Sequence, residues 1–300
     1  MTGNRSKHQH WVPQFYLRYF ATKETRGSDQ PQVWIFSKDH TDGDETLTNV
    51  RNVCGKRYLY APVQPDGQRT WDLDERLSEL ESTLGEVWPA LANGYVSLED
   101  AGLRKGLALF VAVMHLRNPE VRKEVERIHA ALVRLFESGP RQPGAVEAVE
   151  INGRNHDVSL DGWEDYRAWG KNEHDRFFAR MVESEAIHIA KLFTSKRWSI
   201  VCADADTFIT TDKPVGVQHQ TREKAGFGTP GAIVTFPLSP KRLLVMDDMH
   251  AEPANQYYPL KDSNAGAFNL TIWRNGSRFM ITGRPIPDVL NELLALDART

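Results

Sequence analysis

Near the start of the sequence, His8, His10 and Val12 stand at alternate positions before an aromatic-rich stretch. Residues 8–20 read HQHWVPQFYLRYF. Because successive side chains of a strand point to opposite faces, His8, His10 and Val12 share one face of an extended segment. Pro13 suits the first turn of a helix, where its missing N–H costs nothing. The pattern therefore predicts a short strand that leads into a short helix.

A helical period of three and four residues governs the middle of the chain. Leucines recur on one face over residues 73–91, and Asn93-Gly94 is a stop signal. Ser97, with Asp100 in the place of a capping-box acid, marks the start of the next helix. The spacing predicts helices at 72–93, 98–116, 120–137 and 162–193.

Runs rich in β-branched and aromatic residues predict strands before and after these helices. The first strands are expected at 32–37, 47–53 and 57–60. Hairpins are expected to pair 198–202 with 207–211, 231–237 with 242–246, and 268–273 with 277–282 across Asn275-Gly276. A closing helix is predicted at 288–296.

This order of strands, then helices, then strands predicts an α+β fold. The chain lacks the regular alternation of strands and helices that is typical of a parallel sheet. We expect a single α+β domain over residues 1–300. A loop or hairpin excursion is expected at about 138–161, where Gly-Pro, Pro-Gly and Asn-Gly pairs cluster.

Composition and charge narrow the class of protein. The 300 residues are 40 % hydrophobic and 26 % charged, and the mean hydropathy is −0.49, which is typical of a soluble folded chain. The 37 Lys and Arg against 40 Asp and Glu give a net charge of −3, which excludes a nucleic-acid binder that is basic throughout. Cys54 and Cys202 have no metal-type spacing, and no signal peptide or membrane span is recognisable. We therefore expect a cytoplasmic location without membrane contact.

Four short motifs are spread along the chain. They are HxHxVPxFYLRxF at 8–20, RNP at 117–119, TTDKPV at 210–215 and PLSP at 237–240. Together they resemble the bacterial family DUF4238, a domain of unknown function. Thr211 stands where that family more often has Ser. The resemblance spans most of the chain and implies one family-wide domain, but it implies no activity.

His8 and His10 are the first candidates for chemistry. Two imidazoles two positions apart on one strand face can bind one divalent metal ion. A complete site needs further ligands, and Asp212, His115 and Glu79 are candidates for that role. Two alternatives stay open: a functional role without metal, or backbone hydrogen bonds that hold the N-terminal segment in place.

Asp212 follows an apolar strand and precedes a Lys-Pro pair. Strand ends commonly present functional side chains, so Asp212 is a candidate general base or metal ligand, with the Thr211 hydroxyl beside it for substrate binding. An Asp at this position also suits an Asx turn, in which the carboxylate accepts hydrogen bonds from nearby backbone. Both interpretations fit the sequence.

Arg117 ends the most apolar of the predicted helices, just before Asn118-Pro119. A cation at the carboxyl end of a helix is favoured by the helix dipole, which requires no function. A guanidinium beside a buried helix can also bind a phosphate or carboxylate through two hydrogen bonds. Arg18 and Tyr16 lie in the N-terminal motif and are candidates for binding the same substrate, although Tyr16 equally fits a packing role.

Charge is unevenly distributed along the chain. Residues 1–20 carry Arg5, Lys7 and Arg18 and no acid. This cationic segment admits an anionic partner such as a nucleic acid or a nucleotide, which the net charge alone would disfavour. A second basic cluster with aromatic neighbours, at 51–60, can contact nucleic acid or form a solvated strand face.

These candidates favour a hydrolase that acts on a phosphate-containing substrate, such as a nuclease or another phosphodiesterase. In that interpretation the histidines transfer protons, Arg117 stabilises developing negative charge, and Asp212 orients a histidine or holds a divalent metal. Walker A, G-x-S-x-G and H-E-x-x-H motifs are absent from the sequence. The alternative is a non-catalytic ligand-binding or protein-interaction module of a bacterial stress or defence system, which the long helices fit equally well.

Overall fold

A computed structural model describes residues 7–39, 45–137, 146–151, 154–159, 161–222, 225–261 and 264–297. This part of the chain has the predicted α+β architecture. The helices are α1 Gln14–Leu17, α2 Asp72–Asn93, α3 Ala101–Leu116, α4 Pro119–Glu137, α5 Trp163–Arg167, α6 Lys171–Ser195, α7 Ala265–Asn275 and α8 Ile286–Asp297. Among these described helices, none combines the length and the apolar composition that a bilayer crossing needs.

The strands of the described ranges form four sheets. Their bounds are β1 His8–His10, β2 Gln32–Ser37, β3 Glu45–Asn49, β4 Gly55–Arg57, β5 Val146–Ile151, β6 Arg154–Ser159, β7 Arg197–Cys202, β8 Thr210–Thr211, β9 Gly216–Gln218, β10 Ile233–Ser239, β11 Arg242–Asp247, β12 Gln256–Pro259 and β13 Phe279–Thr282. The larger sheets have the orders β12-β7-β11-β10-β9 and β3-β2-β13-β8, and the smaller ones are β1-β4 and β5-β6. Neighbouring strands are antiparallel, except that β12 runs parallel to β7.

The central helices pack against each other and against the five-stranded sheet. The stretch at 107–114 in α3 is almost continuously buried, and α3 packs along α6. In α2, the indole N–H of Trp88 donates to the Leu238 carbonyl of β10 at 3.1 Å. The apolar faces of these helices and of β10 therefore belong to one core.

The N-terminal segment is anchored in this core. β1 and α1 form as predicted, and Pro13 stands in extended conformation just before α1. The Tyr16 ring stacks on Phe236, with ring centroids 5.4 Å apart, and meets Trp88 edge-on. Because α1 is fixed in this way, β1 also has a defined place at the edge of the core.

The excursion expected at about 138–161 is a hairpin where the structure describes it. β5 and β6 are antiparallel, with Val146 opposite Ser159 and Ile151 opposite Arg154. The predicted turn at Asn152-Gly153 lies outside the described residues.

Two helix boundaries differ from the prediction. The helix expected at 162–193 is two helices, because the backbone of Gly170 is extended and its N–H donates to the Glu173 carboxylate at 3.0 Å, which starts α6. The apolar period runs through this break and so did not reveal it. α3 begins after Asp100 and not at Ser97, since the Asp100 carboxylate accepts the Leu103 N–H at 2.7 Å.

Of the predicted hairpins, the pairing of β10 with β11 is confirmed, and the other two are wrong. β7 pairs with β11 and β12, whereas β8 pairs with β13 in the other large sheet. The segment before Gly276 is the helix α7. An Asn-Gly pair favours a tight turn and equally a helix stop. The buried Asn269 decides between them here, because its amide bonds the Ile209 N–H and the Thr207 carbonyl and so holds α7 beside β8.

Candidate functional site

A cavity of about 260 Å³ lies beside β1, between the start of α1, α2 and the end of α3. Its polar side chains include His8, His10, Gln14, Asp74, Glu81 and Arg117. The structure therefore brings together three of the four residues predicted to be catalytic. We call this site the histidine cavity.

The two histidines lie side by side on β1. Their ring centroids are 5.0 Å apart, and the rings are steeply inclined to each other. His8 lies opposite Arg57 of β4, and His10 lies opposite Gly55. A Cβ at position 55 would overlap the His8 ring, so a larger residue there would displace the exposed His8 side chain. Both imidazoles thus lie on one face of β1, as the alternation predicted.

His10 is held as a neutral imidazole. Its Nε2 lies 2.9 Å from the Arg51 carbonyl oxygen, which can only accept, so Nε2 carries the proton. Nδ1 then has a lone pair, and the Gln14 amide donates to it at 3.4 Å. Burial lowers the pKa of His10, and the charges of His8 and Arg117 act in the same direction. The result is a proton acceptor in the cavity wall.

Arg117 is a nearly enclosed cation in the cavity wall, with 1 % of its surface exposed. Its Nη1 donates to the Glu81 carboxylate at 2.6 Å, and its Nε donates to the Trp11 carbonyl at 2.8 Å. Its Nη2 is buried and has no hydrogen-bond partner in the part of the chain that the structure describes. An unmet polar group of this kind costs about 1–3 kcal/mol.

The carboxylates of α2 were missed by sequence reasoning. Asp74, Ser78 and Glu81 are spaced by four and three residues, so they share one side of the helix and line the cavity together. Burial raises the pKa of Asp74, and the carboxylates of Glu81 and Glu75 act in the same direction. The signal in the sequence was a polar stripe beside the leucines, but such a stripe normally faces solvent.

Asp212 is engaged with the backbone. Its carboxylate accepts the N–H groups of Ser277, Arg278 and Phe279 at 2.9 to 3.2 Å. Its carbonyl oxygen accepts the Trp11 indole N–H at 3.0 Å. Among the described residues that line the histidine cavity, Asp212 is not included. The geometry therefore favours the interpretation in which the Asp212 carboxylate caps backbone N–H groups. Those groups belong to the segment that leads into β13, and not to the turn that follows Asp212, where an Asx turn was expected.

Thr211 lies in the same turn and is fully buried. Its hydroxyl accepts the Lys213 N–H at 3.2 Å, and its side chain occupies the space beside Gly276. Nearby, the Asn118 amide donates to the Asp212 carbonyl at 2.8 Å. The RNP and TTDKPV motifs thus meet through a hydrogen bond from the Asn118 side chain to the Asp212 backbone. This placement does not bring the Thr211 hydroxyl to the histidine cavity.

Tyr16 and Arg18, predicted to bind substrate, occupy different environments. The Tyr16 hydroxyl is 2.7 Å from the Thr210 hydroxyl and donates to the Pro237 carbonyl at 2.8 Å. Burial raises the pKa of Tyr16, which is a core residue. Arg18 is exposed and lines a second cavity of about 390 Å³. Phe15 is the one described residue that lines both cavities.

The predicted metal site is supported only by the histidine pair. Within the described ranges, no group of three or more His, Cys, Asp or Glu side chains is arranged to hold a metal ion. His115 packs against Phe227, with ring centroids 4.6 Å apart, and Glu79 is exposed. A divalent metal at His8 and His10 stays a prediction.

Comparison with known proteins assigns the chain to a family. A family model described as Protein of unknown function (DUF4238) matches residues 8–285. The chain belongs to the DUF4238 family. The DUF4238 match begins at His8 and includes every residue that lines the histidine cavity. No curated protein and no solved structure matches the chain.

Proposed function

We propose that this DUF4238 protein hydrolyses a phosphate-containing substrate in the histidine cavity, as a nuclease or another phosphodiesterase. The supporting observation is the placement of a neutral His10, an enclosed Arg117 and a half-buried Asp74 around one cavity. These groups are a proton acceptor, a cation, and a carboxyl group whose pKa is raised. Acid–base hydrolysis of a phosphodiester uses these three functions.

In this mechanism His10 is the general base. Its Nδ1 takes a proton from water as the water oxygen forms a bond to phosphorus, and Arg117 stabilises the charge on the phosphoryl oxygens. The bond between phosphorus and the leaving oxygen breaks, and Asp74, in its protonated form, gives its proton to that oxygen; burial raises the pKa of Asp74 and so favours that form. His10 then releases its proton to solvent and Asp74 takes one up, so one water is consumed. The exposed His8 binds a phosphoryl oxygen from the outer side of the cavity.

The charges around the histidine cavity suit an anionic chain. Glu81 is neutralised by Arg117. Burial raises the pKa of Asp74, which favours its uncharged form. β4 places the exposed side chains of Lys56 and Arg57 next to β1. Basic side chains beside a hydrolytic cavity attract a polyanion such as a nucleic acid. A nucleic acid lying along β4 would bring one phosphate to the two histidines.

The test is hydrolysis of bis(p-nitrophenyl) phosphate and of a fluorescent single-stranded oligonucleotide. We expect His10→Ala and Asp74→Asn each to lower kcat by about 10²–10⁴-fold, because each removes one proton-transfer group. His188→Ala is the matched control, since His188 is 68 % exposed on α6. The proposal is overturned if the wild-type protein hydrolyses neither substrate, or if both variants retain the wild-type rate while remaining folded.

Two further measurements separate the alternatives. Rates in EDTA and in Mn²⁺ test for a metal, and a metal-dependent rate that His8→Ala abolishes would assign a divalent ion to the histidine pair. Oligonucleotide binding without turnover would favour the non-catalytic module.

A further inference from the structure

The second cavity, of about 390 Å³, is independent of the proposed hydrolysis except that Phe15 lines both sites. The residues that line it include Phe15, Arg18, Tyr19, Arg26, Gly85 and Lys241. We call this site the arginine cavity. Its volume is in the range of sites that bind small molecules.

The arginine cavity contains positive charge that the protein does not neutralise. Arg26 donates to the Asp206 carboxylate at 2.6 Å, so this pair is balanced. The Nζ of Lys241 donates to the Asp204 backbone carbonyl at 2.8 Å, which provides a hydrogen bond but no counter-charge. Arg18 is exposed, and neither Arg18 nor Lys241 forms an ion pair within the described residues. Two cations are therefore available to an anionic ligand.

Two aromatic side chains line the same cavity. Phe15 is half-buried and meets Trp88 edge-on, with ring centroids 5.4 Å apart, so the core fixes its ring. Tyr19 is also half-buried, and burial raises the pKa of its hydroxyl. The hydroxyl therefore keeps its proton, and it has no hydrogen-bond partner in the described ranges. The aromatic rings can stack on a flat ligand ring, and the Tyr19 hydroxyl can donate a hydrogen bond to the edge of that ring.

The end of α2 does not add a competing negative group to the cavity. Carbonyl groups at a helix carboxyl end repel anions when they are left unpaired. Here the Ser239 hydroxyl donates to the Ala92 carbonyl at 2.7 Å. The Lys241 N–H in turn donates to the Ser239 hydroxyl at 3.2 Å. The Ala92 carbonyl is thus paired and does not confront an anion in the cavity.

Gly85 keeps the arginine cavity open. It lies in the interior of α2, where glycine destabilises a helix relative to alanine. A Cβ at this position would meet no heavy atom within 4 Å, so close packing does not require the glycine. A larger side chain here would instead take up space in the cavity that Gly85 lines. The glycine is therefore explained by the volume that it leaves free.

We propose that the arginine cavity binds a small anion that carries a flat ring, of the class of nucleoside monophosphates. Arg18 and Lys241 bind the phosphate, and Phe15 and Tyr19 hold the base. A ligand whose phosphate is bound by two cations and whose ring is stacked binds more tightly than a ligand with only the phosphate or only the ring. The site is distinct from the histidine cavity, so it binds an effector or a product and performs no hydrolysis.

The experiment is isothermal titration calorimetry of the full chain with AMP, adenosine and ribose 5-phosphate. We expect AMP to bind about tenfold or more tightly than adenosine or ribose 5-phosphate, because it alone presents both features. Arg18→Glu should weaken AMP binding by about tenfold or more, since it reverses one of the two cations. Lys105→Glu makes the same charge change at an exposed position of α3 and should leave AMP binding unchanged.

Gly85 provides a second, independent test. Gly85→Leu should abolish AMP binding by filling the cavity, whereas Gly85→Ala should raise the melting temperature and retain binding. The proposal is overturned if AMP does not bind, if Arg18→Glu and Lys105→Glu weaken binding equally, or if Gly85→Leu binds AMP normally.

His10→Ala distinguishes this proposal from the proposed hydrolysis. We expect His10→Ala to bind AMP with wild-type affinity although it no longer hydrolyses phosphodiesters. Loss of AMP binding in His10→Ala together with normal binding in Arg18→Glu would place the nucleotide in the histidine cavity and reject the arginine cavity as its site.

Discussion

The imidazole of His8 occupies the space where any residue other than glycine at position 55 would carry its Cβ. Gly55 belongs to β4, the partner strand of β1. Gly55→Ala should therefore displace the His8 ring while the ring itself stays present. We expect both Gly55→Ala and His8→Ala to lower phosphodiester hydrolysis by about 10–100-fold, because a misplaced or missing substrate-binding group costs rate.

Gly27→Ala is the control for this substitution, since a Cβ at Gly27 meets nothing within 4 Å. Kinetics and thermal unfolding of the three variants separate displacement of His8 from loss of the fold. A Gly55→Ala protein with the wild-type rate would show that the position of His8 is unimportant.

Glu81 compensates the charge of the enclosed Arg117. Glu81 is 28 % exposed, so Glu81→Gln should lower the free energy of unfolding by about 1–3 kcal/mol, less than the loss of a fully buried ion pair. Glu183→Gln breaks the Arg76–Glu183 pair, whose side chains are 61 % and 34 % exposed, and should cost less than about 1 kcal/mol. Urea unfolding measures both, and equal losses would contradict the role of Glu81.

The Tyr16 hydroxyl is predicted to act on stability and not on substrate binding. Tyr16→Phe leaves the Pro237 carbonyl without its buried donor and should lower the free energy of unfolding by about 1–3 kcal/mol. The KM for bis(p-nitrophenyl) phosphate should stay unchanged. Tyr95→Phe is the control, because Tyr95 is 75 % exposed and its change should fall within about 0.5 kcal/mol. A raised KM in Tyr16→Phe alone would restore the substrate-binding interpretation.

His115 should make the stability of the protein depend on pH. Burial lowers the pKa of His115 from 6.5 to about 4, and Lys213 acts in the same direction. Between these values the unfolded chain binds a proton that the folded chain does not. The free energy of unfolding should therefore fall as the pH decreases from 6.5 to 4, by roughly 3 kcal/mol from this group.

Urea unfolding at several pH values tests this, with the wild-type protein compared with His115→Gln. The difference in unfolding free energy between them should change over pH 4 to 6.5 and stay constant above it. His188→Gln, at an exposed position, should show no such change. A constant difference between wild type and His115→Gln over the whole range would contradict the prediction.

Much of the architecture could be predicted because its causes are local. The strand at 8–10, the helix at 72–93 and the hairpin of β10 with β11 lie where hydrophobic period and turn residues predicted them. Each of these signals acts between residues that are close in sequence, through side-chain alternation, helical spacing or a tight turn. The break at Gly170 was hidden because the apolar period continues across it.

Strand partners were decided by tertiary structure. β7 and β8 follow each other in sequence, yet they belong to different sheets, and the segment predicted to pair with β13 is the helix α7. Pairing of this kind depends on which apolar faces meet in the folded chain, and an isolated strand carries no mark of its distant partner.

The candidate site likewise has some features that local sequence patterns predicted and others that depend on tertiary structure. Side-chain alternation and an apolar helical run are local signals, and they predicted that His8 and His10 share a face and that Arg117 ends a buried helix. The folded arrangement is what brings these three side chains to one cavity, with Asp74 and Glu81 of α2 in the same lining. It also places the Asp212 carboxylate against backbone N–H groups at the start of β13. A polar stripe on a helix has the same spacing whether it faces water or another part of the chain, and only the arrangement of β1, α2 and α3 decides which.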